Sequence, residues 1–269
     1  MNDINIDSTV IFLDVRNFTP LMKDFSNNPL FLTLIKSIYE TGIDLASSFC
    51  CKDDFYLNST GDGFLCIFMG EDHPIKAFLF GILLIKKLAS LFESFFTDKD
   101  EMYKPRTGMY YYGIGIESGP ISKVITSEGK NKTIETYLGN VINLAARIES
   151  LSKEHGRAPM LYGPEINERL TRIATEGKSY KQYMKNAKDN QNSFTVEESH
   201  NSMNTINELL LSSYLFEHNL KGIVEDAVPI FRISPTLLNN LNLQTWDFLS
   251  KIPEEIRNTF VNLYKGSNK

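Results

Sequence analysis

YLGNVINLAARIES, Tyr137 to Ser150, is the stretch on which the reading of this sequence turns. After Leu138-Gly139-Asn140, the apolar residues Val141, Ile142, Leu144, Ala145 and Ile148 recur at helical spacing and predict a packed helix over Val141 to Leu151. Asn143 and Arg147 are four residues apart, so they are neighbours elsewhere on that helix. Such a pair is either solvated surface or part of a phosphoryl-transfer site. In the second case an Asn fixes a ribose and the planar guanidinium stabilises charge on a phosphate.

Upstream, STVIFLD (Ser8 to Asp14) is a short apolar run ending on a carboxylate, and NFTP (Asn17 to Pro20) carries helix-start chemistry. A strand followed by a helix is expected, with a long amphipathic helix over Leu30 to Phe49. Phe55 to Thr60 and Phe64 to Met69 predict a hairpin with Asp62 of Gly61-Asp62-Gly63 at its tip. A helix over about Pro74 to Phe95 comes next. Tyr110 to Glu117 and Ile121 to Thr126, flanking Ser118-Gly119-Pro120, predict a second hairpin. Downstream, Met160 to Tyr162 reads as a strand and Pro164 to Thr175 as a helix. Residues 177–204, polar and rich in Lys, Asn and Ser, are expected to form an insertion or mobile loop. Leu215 to Phe231 predicts two closing strands around Lys221-Gly222, and Leu237 to Tyr264 has helical periodicity that Pro253 interrupts. Strands and helices mix without strict alternation, so the expected class is α/β in the broad sense (α+β). The expected organisation is one domain over residues 1–235 and a C-terminal helical appendage over 236–269.

Composition narrows the partners. The chain has 269 residues, 42% hydrophobic and 23% charged, with a net charge of −5. That balance offers no basic stripe for a nucleic-acid backbone. Its three cysteines form no disulfide or metal-ligand pattern, which fits a reducing cytoplasm. The start MNDINIDSTV lacks the features of a signal peptide, and the apolar stretch Ala77 to Phe92, interrupted by Lys86 and Lys87, falls short of the ~20 residues that span a bilayer. A cytoplasmic protein without membrane insertion is expected. The four scattered histidines do not suggest a metal site.

Asp14 and Asp62 each have an ordinary reading, as a helix cap and as a turn residue. Brought side by side, they would be hard oxygen ligands for two divalent cations that activate a hydroxyl and neutralise phosphoryl charge. Amides at Phe18 and Thr19, opening a helix, would add donors for phosphate.

In order along the chain, IFLDVRNFT (Ile11 to Thr19), STGDGF (Ser59 to Phe64), GIGIESGP (Gly113 to Pro120) and YLGNVINLAARIES resemble the motifs of the class III adenylyl/guanylyl cyclase catalytic domain, over roughly Ser8 to Ile233. The resemblance implies a ferredoxin-like α/β sandwich. It implies two Mn²⁺ or Mg²⁺ ions per site at Asp14, Val15 and Asp62, and Asn143 and Arg147 as the transition-state pair. The substrate would be a nucleoside triphosphate whose 3′-hydroxyl attacks the α-phosphate, releasing pyrophosphate. The sites would be shared between the two subunits of a homodimer. Lys221 aligns too loosely with the family's phosphate-contacting lysine to be assigned.

The sequence departs from the family where the base is read. The Lys and Asp of adenylyl cyclases, and the Glu and Cys of guanylyl cyclases, are replaced by Asn58 and Thr136. Tyr56, on the same strand face as Asn58, either stacks on a base or packs in the core. Loss of both purine readers is similar to bacterial Pycsar cyclases, which make cyclic CMP or cyclic UMP in anti-phage defence. The expected activity is therefore that of a pyrimidine cyclase. Alternatives are an adenylate cyclase with atypical base recognition and an inactive homologue acting as a regulatory nucleotide-binding module. The signature of diguanylate cyclases is not matched by Gly61-Asp62-Gly63-Phe64.

Overall fold

The computed structural model describes residues 4–25, 29–96, 110–128, 132–153, 158–175, 210, 212–218 and 227–267. Two central strands organise it. β1 (Ile4–Val15) and β4 (Tyr112–Glu128) pair antiparallel along twelve residues, from Ile4 opposite Lys123 to Val15 opposite Tyr112. Between them in sequence come α1 (Phe18–Phe25), α2 (Pro29–Phe49), the hairpin β2 (Phe55–Ser59) and β3 (Phe64–Phe68), and α3 (His73–Phe95). β3 pairs with the free side of β1, so the order β2-β3-β1-β4 is that of a ferredoxin-like βαββαβ unit. β5 (Lys132–Leu138) folds back on the distal half of β4, and α4 (Asn140–Leu151) follows. Then β6 (Met160–Tyr162), running parallel to β4, α5 (Pro164–Ala174), β7 (Ser212–His218) and β8 (Val228–Ile233) extend the sheet. α6 (Pro235–Asn239), a 3₁₀ turn (Asp247–Lys251) and α7 (Glu254–Gly266) close the chain.

Alternation along β1 divides the core. Ile11, Leu13 and Val15 face α2 and α3, where they join Phe31, Phe64, Phe68, Phe78, Phe80 and Phe92 in the main apolar layer. Val10 lies with Val141 and Ala145 of α4 on the opposite side, and Phe12 packs against that cluster. Asp14, in phase with Val10 and Phe12, is thereby set on the α4 face at the end of the strand. α4 lies unusually close to the sheet: a β-carbon on Gly115 would overlap the main chain of Ala145 and Glu149. The C-terminal segment is part of the main layer, since Phe248 and Phe260 are fully buried, Phe248 packs edge-on against Phe78 of α3, and the Lys86 ammonium sits 3.6 Å over the Tyr264 ring. Among the described residues no helix is long and apolar enough to cross a membrane.

One expectation is corrected. Ser118-Gly119-Pro120 is not a turn, and Tyr110 to Glu117 and Ile121 to Thr126 do not form a hairpin. β4 runs straight through, with Gly119 opposite Ser8 and Pro120 opposite Asp7. The physical reason lies in the neighbours. β4 pairs with β6 at Ile114 to Ile116 and with β5 from Ser122 onward. Pro120 falls in the gap, where its missing N–H removes no ladder bond to either strand. The hairpin is formed instead by β4 and β5, the latter too polar to show an apolar run. The expected 177–204 insertion, and Lys221-Gly222 between the closing strands, lie outside the described residues.

Candidate active site

The end of β1 carries Asp14, and the register of the β1–β3 ladder, Leu13 opposite Phe64, draws the tip of the β2–β3 hairpin alongside it. Gly63 makes the approach possible, because a β-carbon there would overlap the Leu13 carbonyl oxygen and crowd the Asp14 Cα. Gly61 supplies the turn itself with φ of +108°, a conformation that side-chain-bearing residues rarely adopt. Tyr39 of α2 then fixes the tip. Its hydroxyl donates to the Gly61 carbonyl at 2.5 Å and accepts from the Ser59 hydroxyl at 2.8 Å. The result is two carboxylates, Asp14 and Asp62, held next to each other by main-chain contacts.

That proximity has an electrostatic signature. Burial, and then the charge of Asp14, push the Asp62 carboxyl above the usual aspartate value. Lys153, just beyond α4, places its ammonium 2.8 Å from Asp14 Oδ2. The bond to Asp14 holds the Lys153 ammonium above its ordinary value, with Glu149 and Asp62 adding to the effect. Glu149 of α4 is buried nearby, and its carboxyl is pushed up to about 7 by burial first and the charge of Asp14 second. Arg16 clamps this end of β1 to the turn after α4 and to the segment entering β4, donating to the carbonyls of Ser152 at 2.8 Å and Tyr110 at 3.2 Å.

The donor chemistry fits divalent cations. Two carboxylates with hard oxygens and mutual repulsion favour a site that a divalent ion neutralises. Among the described residues no group of three or more His, Cys, Asp or Glu is placed to hold a metal ion, so Asp14 and Asp62 could supply two carboxylates of a coordination shell and no more. Val15 is 2% exposed with an apolar side chain, so only its main chain can offer an oxygen.

Phe18 stacks on Phe31 with ring centroids 5.8 Å apart, which gives its side chain a packing role. Asn17 at φ +56° turns the chain into α1, and the Leu21 amide donates to the Asn17 carbonyl. Pro20 has no N–H, so the amides of Phe18 and Thr19 are the donors this helix end offers to an anion.

Asn143 and Arg147 are not brought to the acids. Both are exposed, while Val141, Ala145, Ile148 and Glu149 are buried on the other side of α4. At 100° per residue, Asn143 and Arg147 lie roughly opposite the face that carries Glu149 toward Asp14. The pair and the acids therefore lie on different faces of the chain.

The positions expected to read the base lie on two different strands. Asn58 on β2 and Thr136 on β5 are exposed. Tyr56 packs against Tyr137, ring centroids 4.7 Å apart, within the apolar cluster under α4. Alternation sends Thr136 to the opposite side of β5 from Tyr137. Opposite Tyr137 in register is Lys123, whose ammonium binds Glu135 at 2.9 Å and lies 5.7 Å from the Tyr137 ring centroid. Sequence reasoning missed Tyr39, Glu149, Lys153 and Tyr137. Only Glu149 left a signal, a carboxylate on the apolar stripe of α4.

No protein-family model matches the chain. It is 28% identical over 153 residues to an adenylate cyclase of Anabaena cylindrica, covering 55% of this chain and 28% of that one. The chain thus spans less than a third of the length of this curated relative. Among solved structures it resembles the adenylyl cyclase CyaB of P. aeruginosa, with a TM-score of 0.58 at 16% identity over 87% of this chain and 96% of that one. It also resembles the guanylate cyclase domain of RhGC from Catenaria anguillulae in complex with GTP, with a TM-score of 0.51 at 17% identity over 85% and 96%. The likeness establishes the fold, that of the class III adenylyl/guanylyl cyclase catalytic domain.

Proposed function

We propose that this chain is a nucleotidyl cyclase that converts a ribonucleoside triphosphate to its 3′,5′-cyclic monophosphate and pyrophosphate. The observation that carries the reading is the pairing of Asp14 with Asp62 at one end of β1 while Asn143 and Arg147 face outward from the far side of α4. In a homodimer the acids of one subunit and the Asn/Arg pair of the other complete each other, giving two equivalent sites.

Asp14, Asp62 and the main-chain oxygen of Val15 would hold two Mn²⁺ or Mg²⁺ ions, which supply charge neutralisation at the phosphates and a lowered hydroxyl pKa. The chain's own groups do the positioning. Amides at Phe18 and Thr19 bind triphosphate oxygens. The partner's Asn143 orients the ribose so that its 3′-hydroxyl lies in line with the α-phosphate. The partner's Arg147 donates to the α-phosphate oxygens as charge builds during attack. The 3′-hydroxyl loses its proton to solvent as O3′ bonds to the α-phosphorus, the bond from that phosphorus to the α–β bridging oxygen breaks, and pyrophosphate leaves carrying that oxygen.

The proposed base is a pyrimidine. Asn58 and Thr136 replace charged purine readers with neutral groups, and a polar edge left unpaired is rejected strongly. Tyr56, on the same strand face as Asn58, packs against Tyr137. On the resemblance to Pycsar cyclases, the product is a second messenger in anti-phage defence. One observation favours ATP as a second reading, since the curated relative is an adenylate cyclase.

The test is incubation of the protein with ATP, GTP, CTP and UTP in Mn²⁺, with products identified by mass. Cyclic CMP or cyclic UMP is expected. Conversion of ATP alone would replace the pyrimidine assignment with the second reading, and absence of any cyclic product would leave a nucleotide-binding homologue. If the base assignment holds, Asn58→Lys combined with Thr136→Asp should move the preference toward ATP by about tenfold or more.

A further inference from the structure

We infer that Lys153 is a built-in competitor for the metal ions: its ammonium pairs with Asp14 and has to leave before a divalent cation can bind there. The inference rests on the reading of Asp14 and Asp62 as metal ligands and adds a determinant of metal affinity outside the ligand set.

Geometry carries it. The Lys153 ammonium is 2.8 Å from Asp14 Oδ2, about the contact distance of a charge-assisted hydrogen bond. A divalent ion bound to the same carboxylate sits ~2.0–2.2 Å from its oxygen, so ion and ammonium would be only a few ångströms apart with like charge. Their repulsion makes joint occupancy of the acid pair unfavourable.

The lysine is rooted firmly but reaches loosely. Its amide donates to the Ser150 carbonyl at 3.2 Å in the turn that ends α4, and Arg16 holds the adjoining Ser152 carbonyl at 2.8 Å. The side chain itself is 52% exposed, against 19% for Asp14. A flexible four-carbon arm with one face in water can swing out without unfolding anything. Three carboxylates, Asp14, Asp62 and Glu149, act together on the ammonium. It therefore offsets repulsion between the acids until a stronger cation arrives.

The consequence is a threshold. Metal binding is opposed by the Lys153–Asp14 contact, so the site fills at a higher ion concentration than the acids alone would require. The full-length chain should be titrated with Mn²⁺ and the free ion followed by electron paramagnetic resonance, for the wild type, Lys153→Met, Lys153→Arg and Asp62→Asn. Lys153→Met is expected to bind Mn²⁺ about two- to fivefold more tightly than wild type, and Lys153→Arg to stay close to wild type. The melting temperature of Lys153→Met should also rise more on adding Mn²⁺ than that of the wild type, a readout independent of turnover.

Equal or weaker Mn²⁺ binding by Lys153→Met, with Asp62→Asn impaired, would overturn the competitor role while leaving the acid pair as the metal site. Mn²⁺ binding unaffected by Asp62→Asn, or no binding by any form, would overturn the metal reading itself and the inference with it.

Discussion

Gly63 lies against the main chain of Leu13 so closely that a β-carbon would overlap the Leu13 carbonyl oxygen. The clash would be with backbone at the heart of the β1–β3 ladder, which has no flexible end to yield. Gly63→Ala should therefore push the hairpin tip, and Asp62 with it, away from Asp14. We expect a stability loss of about 3 kcal/mol or more in urea melts, with cyclase activity lost even where the protein remains folded. A Gly63→Ala protein with wild-type stability and turnover would contradict this account of how the acids are brought together.

Asp62 illustrates the cost of that arrangement. Burial and the charge of Asp14 raise its folded pKa above the unfolded value, so its carboxylate form is penalised in the native state as pH rises. At pH 7.5 without metal, Asp62→Asn should melt at the same temperature as wild type or higher. Activity should fall at least a hundredfold, and the rise in melting temperature expected of the wild type on adding Mn²⁺ should be absent. Calorimetry with and without Mn²⁺ measures both. A clear loss of metal-free stability would show that Asp62 acts as a structural residue.

Glu117 provides a pH dependence remote from the acids. It is 1% exposed on β4 and accepts from the Ile166 amide at 2.9 Å and the Ser118 amide at 2.8 Å, so it secures the N-terminus of α5. Burial pushes its carboxyl up to about 7 from an ordinary 4.5, against the pull of those amides. The folded value exceeds the unfolded one. Its contribution is therefore complete below about 4.5 and is lost as pH rises through about 7. Relative to Glu117→Gln, the wild type should lose roughly 2–3 kcal/mol between pH 4.5 and 8.5. Melting temperatures of both proteins across that range test it. Glu149 titrates in the same region in both proteins, so it largely cancels in the difference, and parallel curves would contradict the assignment.

The strands and helices of the unit β1 to α4 were legible where periodicity is long, as in α2 and α3, or where an apolar run meets a turn, as at Gly61-Asp62-Gly63. β5 was not, because Lys132, Thr133, Glu135 and Thr136 interrupt its apolar residues and its pairing with β4 supplies what the side chains do not. Gly119-Pro120 carries local turn chemistry that pairing with β1 overrides. In the site, the acids and the Asn143/Arg147 pair stood out as residue types in order. Lys153 and Tyr39 did not, since a surface lysine and a helix tyrosine gain meaning only from Asp14 and Gly61, which folding brings to them.

Asn143 and Arg147 face away from the acids of their own chain, and the proposed site is completed by a second copy. Two inactive variants, Asp62→Asn and Arg147→Ala, lack opposite halves. When they are mixed and allowed to exchange subunits, half the dimers become mixed and each of these has one intact site of two. About a quarter of wild-type cyclase activity should return. A mixture as inactive as its components, with exchange confirmed by mass, would contradict the shared site.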